Sequence, residues 1–447
     1  MDVENEQNNV FNIRLGKIVG LYQILDPGTL KYRGRNIYHI FIAFIMMYMS
    51  VISIILNVNG VYYWMDDMTK SIDGFWKGLS TLYIIYRAWI VIRHSDDIWD
   101  CLSITRYDFT PSSSRYRHIL DRWRERSVWL TTTIISLYSF GGVLYTVIAL
   151  VFIEDSSLVK NQNVPLDNYW QNVVNFILMA SYKTYNAQYK KFRFVEALYI
   201  ITTTILFYEF DVLLITLYCA ISCQMQIICS AFESVGNKSL HDHRSSIEST
   251  DETTKIPNAH DIVYDELKTI IMDHQAVMEK FEKVLTLFGR TMLFQIFISS
   301  IQQISLWFFF IMLFSNDDRF NASDTDVIKM IISIPAFSFQ IFLVCYFFGN
   351  LHDQKESIIF ALYSSNWTEM DMKCKKLILL TMRMNNANKK SLKFTITKIV
   401  NLEMFFKVAV AAKKPRRLLG NLEGHVKPLQ QSLTFRSLWF HQGLGSL

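Results

Sequence analysis

The chain has 447 residues, of which 51% are apolar, 15% aromatic and only 19% charged, with a net charge of +5. Such a length would ordinarily mean about three soluble domains. Here, however, the apolar residues are gathered into blocks, several of which reach the roughly 20 residues that a helix needs to cross a bilayer core about 30 Å thick. A soluble architecture is therefore excluded, and a positive charge this small and dispersed gives no footprint for a nucleic-acid partner.

Taken in order, residues 1–37 form a polar arm that gains Lys31, Arg33 and Arg35 just before the first apolar run, and it lacks the short apolar core of a removable signal. Span one is expected at 38–58 and span two at 75–92. Residues 94–127 are strongly mixed in charge, and span three follows at 128–153. The connection 154–193 is too long and aromatic for a simple turn and is expected to cap a pocket. Span four begins near Phe194 and its helical pattern continues past Glu209 and Asp211 to about Phe232, longer than a bilayer is thick. A polar linker is expected from Gly236 to Ala259. A second long helix then runs from Asp261 through Arg290 into span five, 291–314, and span six is 327–348.

Lys and Arg residues alternate along this scheme. The arm and the loops 93–127, 230–290 and 350–398 carry five, seven, seven and nine, whereas 59–74, 154–193 and 315–326 carry one, five and one. Cytoplasmic loops are the basic ones, so the N-terminus is expected inside. A G-protein-coupled receptor places its N-terminus outside and joins span three to the next external loop by a disulfide. Between Cys101 and Cys219 there is no cysteine. The tripeptide Asp121-Arg122-Trp123 precedes span three rather than following it.

Several groups of residues are candidates for function. Tyr83 in span two, Tyr138, Gly142 and Tyr145 in span three, Tyr199, Thr203 and Phe207 in span four, and Phe337 in span six place aromatic and hydroxyl groups in the outer half. Such a lining suits a small volatile ligand held by burial and a few hydrogen bonds, and it equally suits plain helix packing. Arg87, Glu209 and Asp211 are charges at membrane depth near the inner ends of their spans, where an ion pair or a reach to water is expected ahead of ligand contact. Gly74 and Gly78 have the spacing of a helix-contact motif. Of three glycosylation sequons, at Asn237, Asn321 and Asn366, only Asn321 is expected outside. The six cysteines lack metal-ligand spacing and His241-Asp242-His243 lacks suitable company, so no metal and no cofactor is expected. With no phosphate loop, nucleophile elbow or paired carboxylates, no enzyme is expected either.

The most specific stretch runs from Pro335 to Ala412. Gln340, Cys345, Gly349, Ser357, Ala361, Tyr363, Trp367, Lys376, Leu379, Arg383, Leu402 and Phe405 resemble, in order and spacing, the C-terminal signature of insect odorant receptors. His274-Gln275, Leu285, Leu293, Gln295 and Asp211-Val212 add to the resemblance. The Thr-Tyr…Gln-Phe signature of the sister gustatory receptors is absent, although a gustatory receptor-like protein is an alternative.

The resemblance implies an all-α, seven-transmembrane polytopic fold with its N-terminus inside. It implies a ligand-gated cation channel, a hetero-tetramer with an odorant co-receptor subunit, in the plasma membrane of olfactory sensory neurons. Tyr363, Trp367, Lys376, Leu379 and Arg383 would belong to a cytoplasmic subunit anchor, and Leu402 and Phe405 to the pore. One departure stands out: after Ala412 the chain reads Lys413-Lys414-Pro415-Arg416-Arg417. Cations around a proline oppose a helix in hydrocarbon, so the seventh helix is expected to be incomplete. A non-conducting or dominant-negative subunit is then the alternative function. The expected division is a cytoplasmic arm 1–37, six spans 38–348, an anchor and start of the seventh helix 349–412, and a divergent cytoplasmic tail 413–447.

Overall fold

The computed structural model describes residues 8–62, 68–152, 157–159, 168–170, 182–235, 259–313, 324–387 and 400–412. The expected sequon Asn321, the linker and the basic tail lie outside them.

The arm is folded. Helices α1 (Ile13–Val19) and α2 (Leu21–Leu25) meet at Gly20, whose φ of +94° is a left-handed conformation that glycine adopts without strain. The Asn12 side chain accepts from the Leu15 N–H and caps α1. A short antiparallel pair, β1 (Lys31–Tyr32) with β2 (Arg35–Asn36), leads into α3 (Ile37–Tyr62), which turns back antiparallel as α4 (Met68–Arg93).

The charge-mixed stretch after α4 forms a small helical layer rather than an open loop. Asp96 and Asp97 in the first turn of α5 (Ser95–Leu102) oppose the positive end of its dipole. Thr110 caps α6 (Pro111–Arg115), and Pro111 supplies a preset first-turn φ. The arm is laced to this layer. Val10 N–H donates to Thr105 O at 2.9 Å and Tyr107 N–H to Asn8 O at 3.0 Å. Val10, Phe11, Ile13, Leu21 and Leu25 are almost wholly buried.

Next come α7 (Arg117–Phe152), the antiparallel strands β3 (Ser157–Val159) and β4 (Asn168–Trp170), α8 (Tyr182–Ala187) and α9 (Tyr189–Ser234). The described part of the long connection thus contains a hairpin. The remaining helices are α10 (Ala259–Leu313), α11 (Asp324–Ser364), α12 (Met372–Ala387) and α13 (Leu402–Ala412).

At 46 and 55 residues, α9 and α10 are about 69 and 82 Å long, more than twice the thickness of the hydrocarbon. Which solvent each part meets is written in its burial. In α3, Phe41, Phe44, Met47, Val51 and Ile54 are exposed along one face while Ile42, Met49, Ile52 and Leu56 are buried on the other. An apolar residue left exposed at helical spacing is the mark of a face turned to lipid. In α9, every residue from Phe210 to Met225 is buried, so this apolar stretch is covered by protein and not by lipid.

Among the described residues, five helices are long and apolar enough to cross a membrane, over 37–58, 117–144, 189–234, 260–308 and 330–364. Span two, expected at 75–92, falls in α4, whose 26 residues suffice in length. Arg87 lowers its hydropathy, and that charge is neutralised inside the fold, as described below. Gly78 of α4 lies against α3: the Ser53 hydroxyl donates to Gly78 O at 2.9 Å, and a Cβ there would collide with the Asn57 amide. The chain divides into two compact units, residues 1–295 with 344–401, and residues 296–343 with 402–447.

Candidate functional site

Two charges, one on α4 and one on α9, organise the middle of the first unit. Arg87 has no exposed surface, and its guanidinium pairs with the carboxylate of Asp211, itself 6% exposed. Arg87 also donates to Phe207 O at 3.3 Å. Three rings surround the cation: Phe210 at 4.1 Å from its centre, Phe207 at 5.3 Å and Tyr83 at 5.6 Å. Burying a charge in an apolar bundle costs far more than burying a polar group unless a counter-charge and donors or acceptors accompany it. Here the carboxylate, a backbone carbonyl and three negative ring faces share that task.

The network reaches further helices through phenols. Tyr138 on α7 donates to the other oxygen of Asp211 at 3.3 Å and packs edge-on against Phe207 at 5.2 Å. Tyr83 donates to Gln295 Oε1 on α10 at 3.1 Å and lies edge-on to Phe294. Phe210 meets Phe288 of α10 at 5.6 Å. Helices α4, α7, α9 and α10 are therefore tied to one buried ion pair. Of the three charges for which an ion pair or a reach to water was expected, Arg87 and Asp211 pair with each other. Glu209 faces elsewhere: it borders a small space with Leu21 and Ile24 of the arm.

Of the eight aromatic and hydroxyl positions, the structure brings together Tyr83, Tyr138 and Phe207, all around Arg87. Tyr199 and Thr203 turn toward other neighbours. The Tyr199 hydroxyl shares a hydrogen bond of 2.7 Å with Thr81, and Tyr199 packs in a cluster with Met49, Ile52 and Leu56 of α3. Thr203 donates weakly to the Met49 sulfur at 3.8 Å. Gly142 marks a close crossing of α7 and α9, because a Cβ there would lie 2.8 Å from Thr204 Oγ1. The side chain of Tyr145 lies outside the described residues. Phe337 is half-buried on α11, in the second unit.

Among the signature residues of the C-terminal stretch, Ser357, Tyr363, Lys376, Leu379 and Arg383 are exposed, whereas Gln340, Cys345 and Ala361 are buried. Tyr363 is 65% exposed with its ring 6.2 Å from Trp367. On α12, Lys376, Leu379 and Arg383 are exposed, beside exposed Met372, Leu380 and Met384. In the second unit Phe405 of α13 lies edge-on to Phe342 at 5.6 Å, and Leu402 is half-buried. In the same unit, Gln303 donates to Ser338 at 2.7 Å and Ser299 to Gln340 at 3.3 Å.

Sequence reasoning singled out Arg87 and Asp211 separately and did not join them, nor did it find Phe210. The signal available was their matched depth: each stands near the inner end of its span, where a lone charge is hardest to leave unpaired.

No curated protein matches the chain by sequence. Among solved structures, the fold is similar to that of the insect olfactory receptor OR5 from Machilis hrabei, with a TM-score of 0.67 at 13% identity over 91% of this chain and 97% of that one. The same receptor in complex with eugenol gives a TM-score of 0.63 at 14% identity, over 92% and 97%. The family model described as 7tm Odorant receptor matches residues 67–412. That match takes in all the helices from α4 to α13 and well over half of the sequence, and the chain belongs to the 7tm odorant receptor family.

Proposed function

We propose that the chain is the odorant-binding subunit of a ligand-gated cation channel, completed by a co-receptor subunit in the plasma membrane of olfactory sensory neurons. The family match over residues 67–412 carries the reading. The ligand sits in the outer half of the bundle, among Tyr83, Tyr138, Gly142, Tyr145, Tyr199, Thr203 and Phe207, and Phe337 of the second unit is a further candidate. Tyr138 and Phe207 join that region to the Arg87–Asp211 pair. A ligand that favours one arrangement of α7 against α9 then biases that arrangement by its difference in affinity for the two states. Subunits meet through the exposed face of α12, with Tyr363, Trp367, Lys376, Leu379 and Arg383. Exposed leucine and methionine on a helix outside the bilayer are unusual unless another chain covers them. Leu402 and Phe405 stand at the entrance of the pore, and Asn321 is the external glycosylation site.

A second reading rests on α13. The sequence that follows it, Lys413-Lys414-Pro415-Arg416-Arg417, sets cations around a proline, which opposes a helix in hydrocarbon. A subunit that assembles without adding a complete pore helix lowers current instead of carrying it.

Odorant-evoked current in cells expressing the chain with a co-receptor decides between them, with eugenol in the first panel of ligands. Ligand-dependent current that changes its ligand preference in Tyr138→Ala supports the first reading. Silence across a broad panel with normal surface delivery rejects it, and suppression of a functional receptor's current by added chain supports the second.

A further inference from the structure

The hairpin at the foot of α3 presents one face. Its tip is Arg33-Gly34, with φ of +49° and +78°, a left-handed turn whose twist matches that of the flanking strands. Glycine and asparagine take that conformation readily, whereas an arginine there is strained. Lys31 stands opposite Asn36 and Tyr32 opposite Arg35. Ile37 N–H donates to Leu30 O at 3.1 Å, which adds one more pair. Opposed residues share a face and successive ones alternate, so Leu30, Tyr32, Arg35 and Ile37 fall on one side and Asn36 on the other.

Asn36 fixes the inner side. Its Oδ1 accepts from Tyr38 N–H at 2.9 Å and caps α3, and its amide donates to Gln23 O of α2 at 2.9 Å. His39 Nε2 meets Ile24 O of the same helix at 2.8 Å. The hairpin is thus held against the first turn of α3 with its outer face open. On that face Leu30 is 72% and Tyr32 56% exposed. Exposed apolar side chains run on through Ile37 and Tyr38 to Phe41 and Phe44, on the face of α3 that is turned to lipid. Lys31, Arg33 and Arg35 are exposed around them, with the Arg33 guanidinium 5.6 Å from the centre of the Tyr32 ring. No Asp or Glu occurs from residue 27 to residue 65, and no ion pair holds any of the three cations among the described residues.

We propose that this hairpin rests in the head-group layer of the bilayer and prefers acidic phospholipid. Leu30 and Tyr32 meet the acyl boundary, and Lys31, Arg33 and Arg35 meet the lipid anions. Continuity chooses the occupant: a bilayer that covers Phe41 and Phe44 also reaches Ile37, and Leu30 is one strand spacing, about 5 Å, further on. Apolar side chains ringed by cations without counter-charges match the border between hydrocarbon and anionic head groups. This inference goes beyond the odorant reading and stands apart from it, because its test uses no odorant and no current.

The test uses the intact chain in nanodiscs, with Leu30→Cys carrying a small fluorophore and the unaltered chain taken through the same labelling as background. Phosphatidylserine or phosphatidylcholine, each with a nitroxide high on its acyl chain, is added in trace amounts. Both should quench the label, and phosphatidylserine should associate at least fivefold more strongly, about the contribution of one Lys or Arg at an acidic surface. Arg33→Asn should lower that preference by up to the same factor without lowering the unfolding midpoint in uncharged micelles, since asparagine suits the left-handed position. Replacing all three cations, Lys31→Gln/Arg33→Asn/Arg35→Gln, should bring the ratio to about one while quenching by phosphatidylcholine persists. An unquenched label overturns the proposal, and so does equal association of the two lipids with all three cations in place. Loss of the preference on adding inorganic phosphate at constant ionic strength also overturns it, by making the hairpin a site for a soluble anion. Cross-linking of the Leu30→Cys chain to a second subunit does so too, by making it a protein interface.

Discussion

Replacing Asp211 by alanine removes the counter-charge of an arginine that has no contact with solvent. Breaking a buried pair from one side costs about 3–5 kcal/mol, because the remaining charge keeps its full desolvation penalty. The rings of Phe210, Phe207 and Tyr83 hold back part of that cost, up to about 2 kcal/mol for a desolvated cation over an aromatic face. The Tyr138 hydroxyl loses its acceptor as well. A net loss of about 3 kcal/mol is therefore expected, roughly 6 °C in the thermal midpoint at about 2 °C per kcal/mol for a large chain. The double replacement Arg87→Met with Asp211→Leu removes both charges and fills similar volumes. It should recover most of that loss, as exchanges of buried pairs for apolar residues do. Thermal unfolding of the four proteins of the cycle in micelles gives the coupling. Additive losses, with the double variant as unstable as the sum of the single ones, would refute the claim that Asp211 is needed chiefly because Arg87 is buried.

Gly142→Leu should separate α7 from α9 at their crossing and cost about 1–3 kcal/mol, whereas Gly141→Leu, where a Cβ meets nothing within 4 Å, should be nearly silent in the same melting assay. Tyr199→Phe loses its hydrogen bond to Thr81 and should cost about 1 kcal/mol in the same assay and shift the rank order of active odorants. An unchanged order would take Tyr199 out of the ligand site. Between α5 and α10, Lys280 and Lys283 bridge to Asp100 and Asp97. Hydrogen bonds from Lys283 hold the Asp97 carboxyl below the usual range, and hydrogen bonds from Lys280 and then Lys283 do the same for Asp100. A depressed carboxyl stabilises the fold above its unfolded value, near 4, and loses that contribution as pH falls through its folded value. The difference in midpoint between the unaltered chain and Asp97→Asn/Asp100→Asn should thus be flat from neutral pH to about 5 and close in stronger acid.

Helix-length apolar blocks and their basic flanks were enough to read an all-helical membrane chain, because lipid demands long uninterrupted helices and leaves their signature in composition. The C-terminal text from Gln340 to Phe405 was specific enough to indicate the family. Other features could not be read in the same way. The arm looked like a polar tail, but Phe11, Ile13 and Leu21 are buried against a partner layer that is itself charge-mixed. Burial of that kind depends on where a distant segment folds and leaves no periodic signal. The outer-half stripe selected Tyr199, Thr203 and Gly142 by helical spacing alone. Spacing fixes which residues share a face and is silent about what that face meets.

By itself the sequence determined the solvent and the rough placement of the long apolar helices, since both follow from one-dimensional amounts of apolar and charged residues. Tertiary structure alone decided that Arg87 finds Asp211 across α4 and α9 and that the apolar run from Phe210 to Met225 is covered by protein. Those outcomes depend on how helices rotate and lean against one another, a choice made by packing among residues up to more than a hundred positions apart.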